Sequence, residues 1–525
     1  MKRLAMAALA AVWATQFSLV EPTNFTRTDE WLYLSLTSRG IVDFPHTRRP
    51  LTLLWALPGA LAGHRFTGFH LADGAYLLLG GWLAFLLALR LAGDVGVAFV
   101  AGALVLVWAP RDMARLLTVQ TTVNAGAMCA ALLALVLLVE SWTRRRATLL
   151  VLAAVVAAVT VASYEAAAPM LVAGALLVPW VGGGTRPSWR WGGAFALAVL
   201  AAFGVMAASL LRPEASYARL LGVDPRPAAV GARLLEQLGW HLRPLGELPP
   251  APWSAAVAIA VAVYAVGYGV VAVRADAAPP VRRRLAVLAA LGALLAAAAY
   301  LPFAMLASTQ SATRTQFLSG FGVALLLASA AALAASMLPG ALPRRAAVGL
   351  LGAWVVALGT ANTVAMQGAW RQLSAYPAQV DLLRQLTRQA PDLRPHTLVV
   401  LLDEDEPPAF TATFAFRHAV GYLYRWRAAA VAWGASDYLY SASFVPEGVR
   451  FEPWPAVRKS WREEPTLYGY DELVAARHAR GRPLTVLAEW PAELPPLPPS
   501  ARYDPEARIV RGGPPVPAQE VLRGP

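Results

Sequence analysis

What most restricts this chain is the recurrence of apolar stretches close to twenty residues long. They fall at about 4–20, 68–91, 95–108, 121–140, 147–163, 166–181, 191–211, 253–273, 285–306, 317–338 and 347–366. A helix needs about 20 apolar residues to cross a bilayer, and in lipid only helices and closed barrels satisfy their own backbone. The predicted fold class is therefore an all-α polytopic membrane protein with about eleven transmembrane helices. Composition agrees, with 57% hydrophobic and only 15% charged residues, where a soluble chain carries about 25% charged. The opening MKRLAMAALAAVWATQFSLV has the basic start and short apolar core of a signal peptide. Because many spans follow, it reads as an uncleaved first span.

The net charge of +13 is not evenly spread. From Gln367 onward 18 basic residues balance 18 acidic ones, so the whole excess lies in residues 1–366. Basic loops at Arg144–Arg146 and Arg282–Arg284 set the cytoplasmic side by the positive-inside rule. The N-terminus is then inside, and the loop after the first span and everything after the last face outward. A basic membrane part suits anionic head groups or a lipid-linked phosphate. Nucleic acid is excluded as a partner, since no basic stripe with interleaved stacking aromatics occurs. The single cysteine, Cys129, sits in an apolar run, which rules out an internal disulfide and reads as packing.

Composition divides the chain into a transmembrane part, 1–366, with a first outer loop at 21–66, and a C-terminal part, 367–525. In the latter, WRQLSAYPAQVDLLRQLTRQAPDL has helical periodicity and HTLVVLLDEDEPP reads as a buried strand ending in an acidic turn. A small extracytoplasmic α/β domain is expected over about 370–490, followed by a loose Pro-rich tail. The segment 50–63 is too short to cross and is expected to lie at the interface.

The acidic loop EPTNFTRTDEWLYLSLTSRGIVDFPHTRRP carries Asp29 and Glu30 side by side, followed at once by Trp31, Leu32 and Tyr33. Carboxylates at a membrane edge are costly and tend to be functional. Partial burial raises their pKa toward the range useful to a general base. Arg48, Arg49, Arg111 and Arg314 fall near span ends on the same side, where a guanidinium fork suits a phosphate or anchors head groups. Glu165, in SYEAAAPM, could bind an acceptor amine, orient an arginine, ligate a metal, or pair with Arg111 or Arg115. His46, His64 and His70 have no ligand spacing, and Asp403–Glu406 lacks the alternation of a calcium loop. No metal site is expected, and the acidic turn reads as solvated. No cofactor is expected, a divalent metal being left open, and no P-loop or dinucleotide fingerprint is present.

The succession from RRPLTLLWALPG through a span ending in Arg90-Leu91-Ala92-Gly93, a further span, and an outer segment with Arg111 and Asp112 resembles the GT-C class of membrane glycosyltransferases. The resemblance is to the protein O-mannosyltransferase and aminoarabinose transferase type. It covers residues 1–170, and more weakly 300–370, where QSATRTQFLSGFGVALLLA and NTVAMQGAW stand. It implies a GT-C-like fold, a sugar donor on a polyprenyl phosphate, and an acceptor at the outer face; scarce Lys with abundant Ala and Arg suggests a bacterial genome, and hence a bacterial inner membrane. It puts the base at Asp29, with Glu30 beside it. Arg48, Arg49, Arg111, Asp112, Glu165 and Arg314 are then substrate-binding candidates, and the reaction is inverting. The alternatives are a transporter or flippase of lipid-linked substrates, and an inactive GT-C-like scaffold.

Overall fold

The computed structural model describes residues 1–41, 65–210, 222–246, 254–274, 281–307, 316–514 and 516–524. Arg48, Arg49, Arg314, His46, His64 and the apolar stretch 50–63 lie outside the described residues.

Each expected span is a helix or a helical run. The membrane part comprises α1 (Lys2–Phe17), the short α2 (Asp29–Ser38), α3 (Phe66–Ala92), α4 (Val95–Val107), α5 (Gln120–Thr143), α6 (Ala147–Ser163), α7 (Ala168–Gly174), α8 (Leu177–Val181) and α9 (Arg186–Leu210). It continues with α10 (Pro227–Leu242), α11 (Ala255–Val273), α12 (Arg282–Ala304), α13 (Gln316–Ala335) and α14 (Ala341–Leu373). Among the described residues, seven helices are long and apolar enough to cross a membrane, and shorter apolar helices accompany them at Val95–Val107, Ala147–Ser163 and Glu165–Val181. This is a multi-pass membrane protein.

Small residues set how closely the spans pack. A Cβ built on Gly292 of α12 would stand 2.5 Å from the backbone N of Leu326 and 2.7 Å from Gly322 O in α13. A Cβ on Gly322 would in turn run into the backbone of Ala296. The two helices therefore touch backbone to backbone. Gly322→Val should force them apart and cost at least about 3 kcal/mol, in the range of severe overpacking. A melt in detergent unchanged from the parent would contradict this contact.

The arginines of the basic loops bond helix ends. Arg284 Nε donates to Leu91 O at 2.8 Å, Arg345 Nη1 to Ala272 O at 2.9 Å, and Arg282 Nη2 to Ser336 O at 2.8 Å. Each caps carbonyls that a helix end leaves unsatisfied, where a cation also suits the dipole. Glu140 joins the same end by pairing with Arg90 at 2.5 Å and Arg144 at 2.7 Å. Cys129 is buried, and its thiol donates to Tyr76 O.

Beyond α14 the chain forms a small α/β domain. It contains α15 (Tyr376–Gln389), β1 (Asp392–Leu393), β2 (Thr397–Asp403), α16 (Thr413–Leu423), β3 (Ala428–Ala432), β4 (Tyr440–Val445), β5 (Gly448–Pro453) and α17 (Pro455–Trp461). Then come β6 (Thr466–Tyr468), β7 (Leu473–His478), β8 (Thr485–Val486) and β9 (Ile509–Val510). The main sheet has the order β3-β2-β7-β8, with β3, β2 and β7 parallel and β8 antiparallel, and β4-β5-β6 form a separate antiparallel sheet. β2 is buried along nearly all its length, as its continuous apolar run requires for a parallel strand.

The Pro-rich tail is not loose. β9 pairs with β1, Tyr503 Oη accepts from Ala475 N and donates to Leu487 O, and Arg384 Nε holds Leu522 O at 2.7 Å. Proline restricts the chain in advance, and single aromatic anchors then suffice to fix it.

The domain shares one core with the loop after α1. Phe25, Trp31, Leu34 and Phe66 pack in the same buried cluster as Leu383, Val400 and Phe416. That common core positions the site described next.

Candidate active site

The loop between α1 and α2 is knitted into two other segments. Asn24 is 1% exposed. Its amide and that of Gln367 from α14 bond reciprocally at 2.8 and 2.9 Å, and its Nδ2 also reaches Leu116 O. Thr118 Oγ1 donates to Pro22 O at 2.8 Å, and Ala375 N to Phe25 O at 3.1 Å. The Asn-Phe-Thr triplet at 24–26 is thus structural, with no accessible amide. The acidic pair follows from a loop held rigidly between residues 116–118 and 367–375.

Asp29 and Glu30 occupy the first turn of α2, where the helix dipole favours carboxylates. Their side chains diverge. Glu30 is 1% exposed. Its two oxygens accept from Thr26 N at 2.6 Å and Thr26 Oγ1 at 2.9 Å, closing the turn before the helix. Burial, with Asp29 adding repulsion, pushes its pKa up to about 7. Asp29 is half-buried, and its own N–H donates to Thr26 Oγ1 at 3.3 Å. So Glu30 is committed to holding the turn that leads into α2.

This gives a pH prediction. A carboxyl whose folded pKa is raised contributes stability that is full below its ordinary value of 4.5 and lost as pH rises through about 7. Glu30→Gln, which can still accept from Thr26 N and donate to Thr26 Oγ1, should flatten that slope and melt higher than the parent at pH 8. Melting curves at pH 5 and pH 8 check it; a lower melting point at both would sink it.

The segment between α4 and α5 supplies the second carboxylate. Asp112 is 1% exposed, and its Oδ1 has no hydrogen-bond partner among the described residues. Burial drives its pKa up to about 7, against the pull of Arg115 and the backbone N–H groups of Arg115 and Ala114. Arg115, pulled down by burial to about 10, turns its guanidinium to Leu106 O. Arg111 is exposed, and its backbone N–H donates to Gln316 Oε1 at 3.3 Å. Gln316 opens α13 directly after residues 308–315, in which Arg314 falls.

Glu165 stands half-buried in a turn after α6, and the ring of Tyr164 meets Phe317 of α13 edge-on at 5.6 Å. Asp112, Arg115, Asn124, Gln316 and Phe317 line a small cleft of about 30 Å³. A second cleft, also of about 30 Å³, shares Arg115 and is lined by Trp13, Gln16, His70 and Asp73. Arg111, Asp112 and the Tyr164–Glu165 turn thus meet at the start of α13. Asp29, at the start of α2, lines neither of these two clefts.

One grouping was not expected from the sequence. Asp403 at the end of β2 and His478 at the end of β7 are register partners. With Asp405 they bring three ligand atoms within 4.8 Å of one another. The expected solvated turn therefore gains an imidazole from 75 residues away. Two carboxylates and an imidazole suit zinc or manganese. They are also satisfied as they stand: His478 Nδ1 meets Asp403 Oδ1 at 3.0 Å, Ala409 N donates to Asp403 Oδ2 at 2.8 Å, and Arg480 N to Asp405 Oδ1 at 2.5 Å.

No family model and no curated protein matches the chain. Among solved structures, it is similar to the Archaeoglobus fulgidus oligosaccharyltransferase tethered with an acceptor peptide containing the NVT sequon. Identity is 14%, coverage 72% of this chain and 57% of that one, and the TM-score 0.36. It is similar also to the same organism's AglB in complex with an inhibitory peptide and a dolichol-phosphate, at 15% identity over 73% and 51%, with a TM-score of 0.29. For the complex with Zn and sulfate the values are 13%, 82%, 62% and 0.34. The chain spans less than two thirds of the length of these solved structures.

Proposed function

We propose that this protein is an inverting membrane glycosyltransferase. It moves a sugar from a polyprenyl-phosphate donor to an acceptor at the outer face of a bacterial cytoplasmic membrane. The observation that carries the reading is the gathering of acidic and basic groups at one end of the helices: the Asp29 loop, the Arg111–Asp112 segment and the Glu165 turn, all on the side of the C-terminal domain. The opposite end is built of arginines capping helix carbonyls, which the positive-inside rule makes cytoplasmic. Residues 1–366 form the catalytic membrane domain and 367–525 an extracytoplasmic one.

Asp29 takes the proton of the acceptor hydroxyl as that oxygen bonds to the anomeric carbon. The bond from that carbon to the phosphate oxygen breaks, and the polyprenyl phosphate leaves with the electron pair. Arg111, Arg48, Arg49 and Arg314 stabilise the phosphate, while Asp112 and Glu165 bind substrate beside α13. Apolar grooves between spans take the lipid tail, and the remaining membrane lipids surround them. The reaction itself calls for no nucleotide.

The test is consumption of a polyprenyl-phosphate sugar by the full-length protein in nanodiscs, with release of polyprenyl phosphate. Transbilayer movement of the intact donor in vesicles, without release, would favour the flippase reading. Neither release nor movement would leave the scaffold reading.

A further inference from the structure

Four polar side chains from four separate segments meet in the core between α2 and the C-terminal domain. Ser35 Oγ stands 2.5 Å from His418 Nδ1, and His418 Nε2 stands 3.2 Å from Tyr440 Oη. Tyr440 Oη donates to Glu463 Oε2 at 3.0 Å. The proton directions follow from the last link. Tyr440 spends its hydrogen on the carboxylate, so its oxygen accepts from His418 Nε2–H. His418 Nδ1 is then bare and accepts from Ser35. The chain runs one way, Ser35 to His418 to Tyr440 to Glu463, and ends in a charge. Arg39, the residue that ends α2, closes the loop by pairing with Glu463 at 2.7 Å and lying over the Trp426 ring at 4.2 Å.

A serine, a histidine and an acid joined in series have the connectivity of an activated nucleophile. Burial removes that reading: Ser35, His418 and Tyr440 are each 0% exposed. Trp426 and Trp461 close on the imidazole edge-on at 5.4 and 5.3 Å. No substrate reaches the hydroxyl. Burying four polar groups is unfavourable unless each finds its partner, and here each does; Ser35 Oγ also lies 3.2 Å from Leu32 O, but the bare Nδ1 of His418 at 2.5 Å is the nearer acceptor. Apolar packing of Trp31, Leu32 and Leu34 would tolerate a small slide or rotation of α2; a directed chain does not.

We propose that Ser35, His418, Tyr440 and Glu463 form a buried clasp by which the C-terminal domain fixes α2, and with it Asp29, so that these four act as positioning residues for the reaction. The inference rests on the reading of Asp29 as the base. Ser35 lies six residues after Asp29 on the same helix, about 9 Å along its axis. A second tie, Trp31 Nε1 to Gln379 Oε1 at 3.0 Å, holds the turn between them. A third, Arg27 Nη1 to Pro408 O at 2.8 Å, holds the chain just before the helix. Asp29 and Ser35 share one unbroken helix, so the three ties act together on its position, and releasing the one at Ser35 loosens the hold on Asp29.

The test uses the full-length protein in nanodiscs with Ser35→Ala and Tyr440→Phe. Both are small deletions that keep side-chain packing nearly intact. Ser443→Ala, on the exposed part of β4, is the control. Hydrogen exchange of the peptide spanning 29–40 should quicken roughly tenfold or more in both variants, the yield of a lost buried hydrogen bond, and not in the control. Turnover should fall by about tenfold with donor KM within about twofold, because the base moves while the donor site stays. Unchanged exchange in both variants would overturn the clasp. Quickened exchange with full kcat would overturn the positioning role, provided that Asp29→Asn is inactive in the same assay. If Asp29→Asn is itself active, it is the reaction-centre reading that fails, and exchange alone then decides the clasp.

Discussion

Asp29→Asn is expected to lose about 10²- to 10⁴-fold in turnover, the usual worth of a positioned general base. The change keeps the shape of the side chain and a good residue for a helix start. The Thr26 turn beneath it, closed by Glu30, is untouched. Donor binding should therefore survive, and the loss should appear in kcat rather than KM. Glu30→Gln should lose far less, since both its oxygens are already committed to Thr26. The measurement is release of polyprenyl phosphate by both variants at saturating donor. A fully active Asp29→Asn beside a dead Glu30→Gln would exchange their roles. Full activity in both would remove this loop from the chemistry.

How far the sequence speaks depends on whether a signal is local. The membrane spans are legible because length and apolarity alone decide them, and helix boundaries such as Phe66–Ala92 fall within a few residues of the pattern. β2 is legible for the same reason, as a continuous apolar run. The assignments that needed partners are not. Nothing near Asn24 announces Gln367, 343 residues away, or near Ser35 announces His418, 383 residues away. Glu30 reads as half of a reactive pair until its bonds to Thr26 are seen. The tail reads as loose because proline content carries no trace of the tyrosine and arginine that tie it down. His478 escapes notice as a partner of Asp403 because only the parallel register of β2 and β7 brings them together. Arg111, Asp112 and Glu165 are visible in the sequence only singly; that Arg111 and Asp112 stand beside Gln316, and Tyr164, the neighbour of Glu165, against Phe317, is a property of the packing of α13.

Asp112→Asn should move stability and activity in opposite directions. The carboxyl is buried, and its pKa stands at about 7 against an ordinary 3.8. The native state thus holds the proton more tightly than the unfolded chain, and the stability this gives is full below about pH 4 and lost as pH rises through 7. At pH 8 the folded protein carries a buried anion that Arg115 only partly offsets, at a cost on the order of 4 kcal/mol from the size of the shift. Asparagine keeps an acceptor for the backbone N–H groups of Ala114 and Arg115 and never ionises. The variant should melt several degrees above the parent at pH 8 and close to it at pH 5. A group held at such a cost is expected where function needs it. Turnover should accordingly fall at pH 8 even though the protein is firmer. Melting curves and donor consumption at the two pH values decide the matter. A variant that is both more stable and fully active would show that Asp112 takes no part in binding substrate.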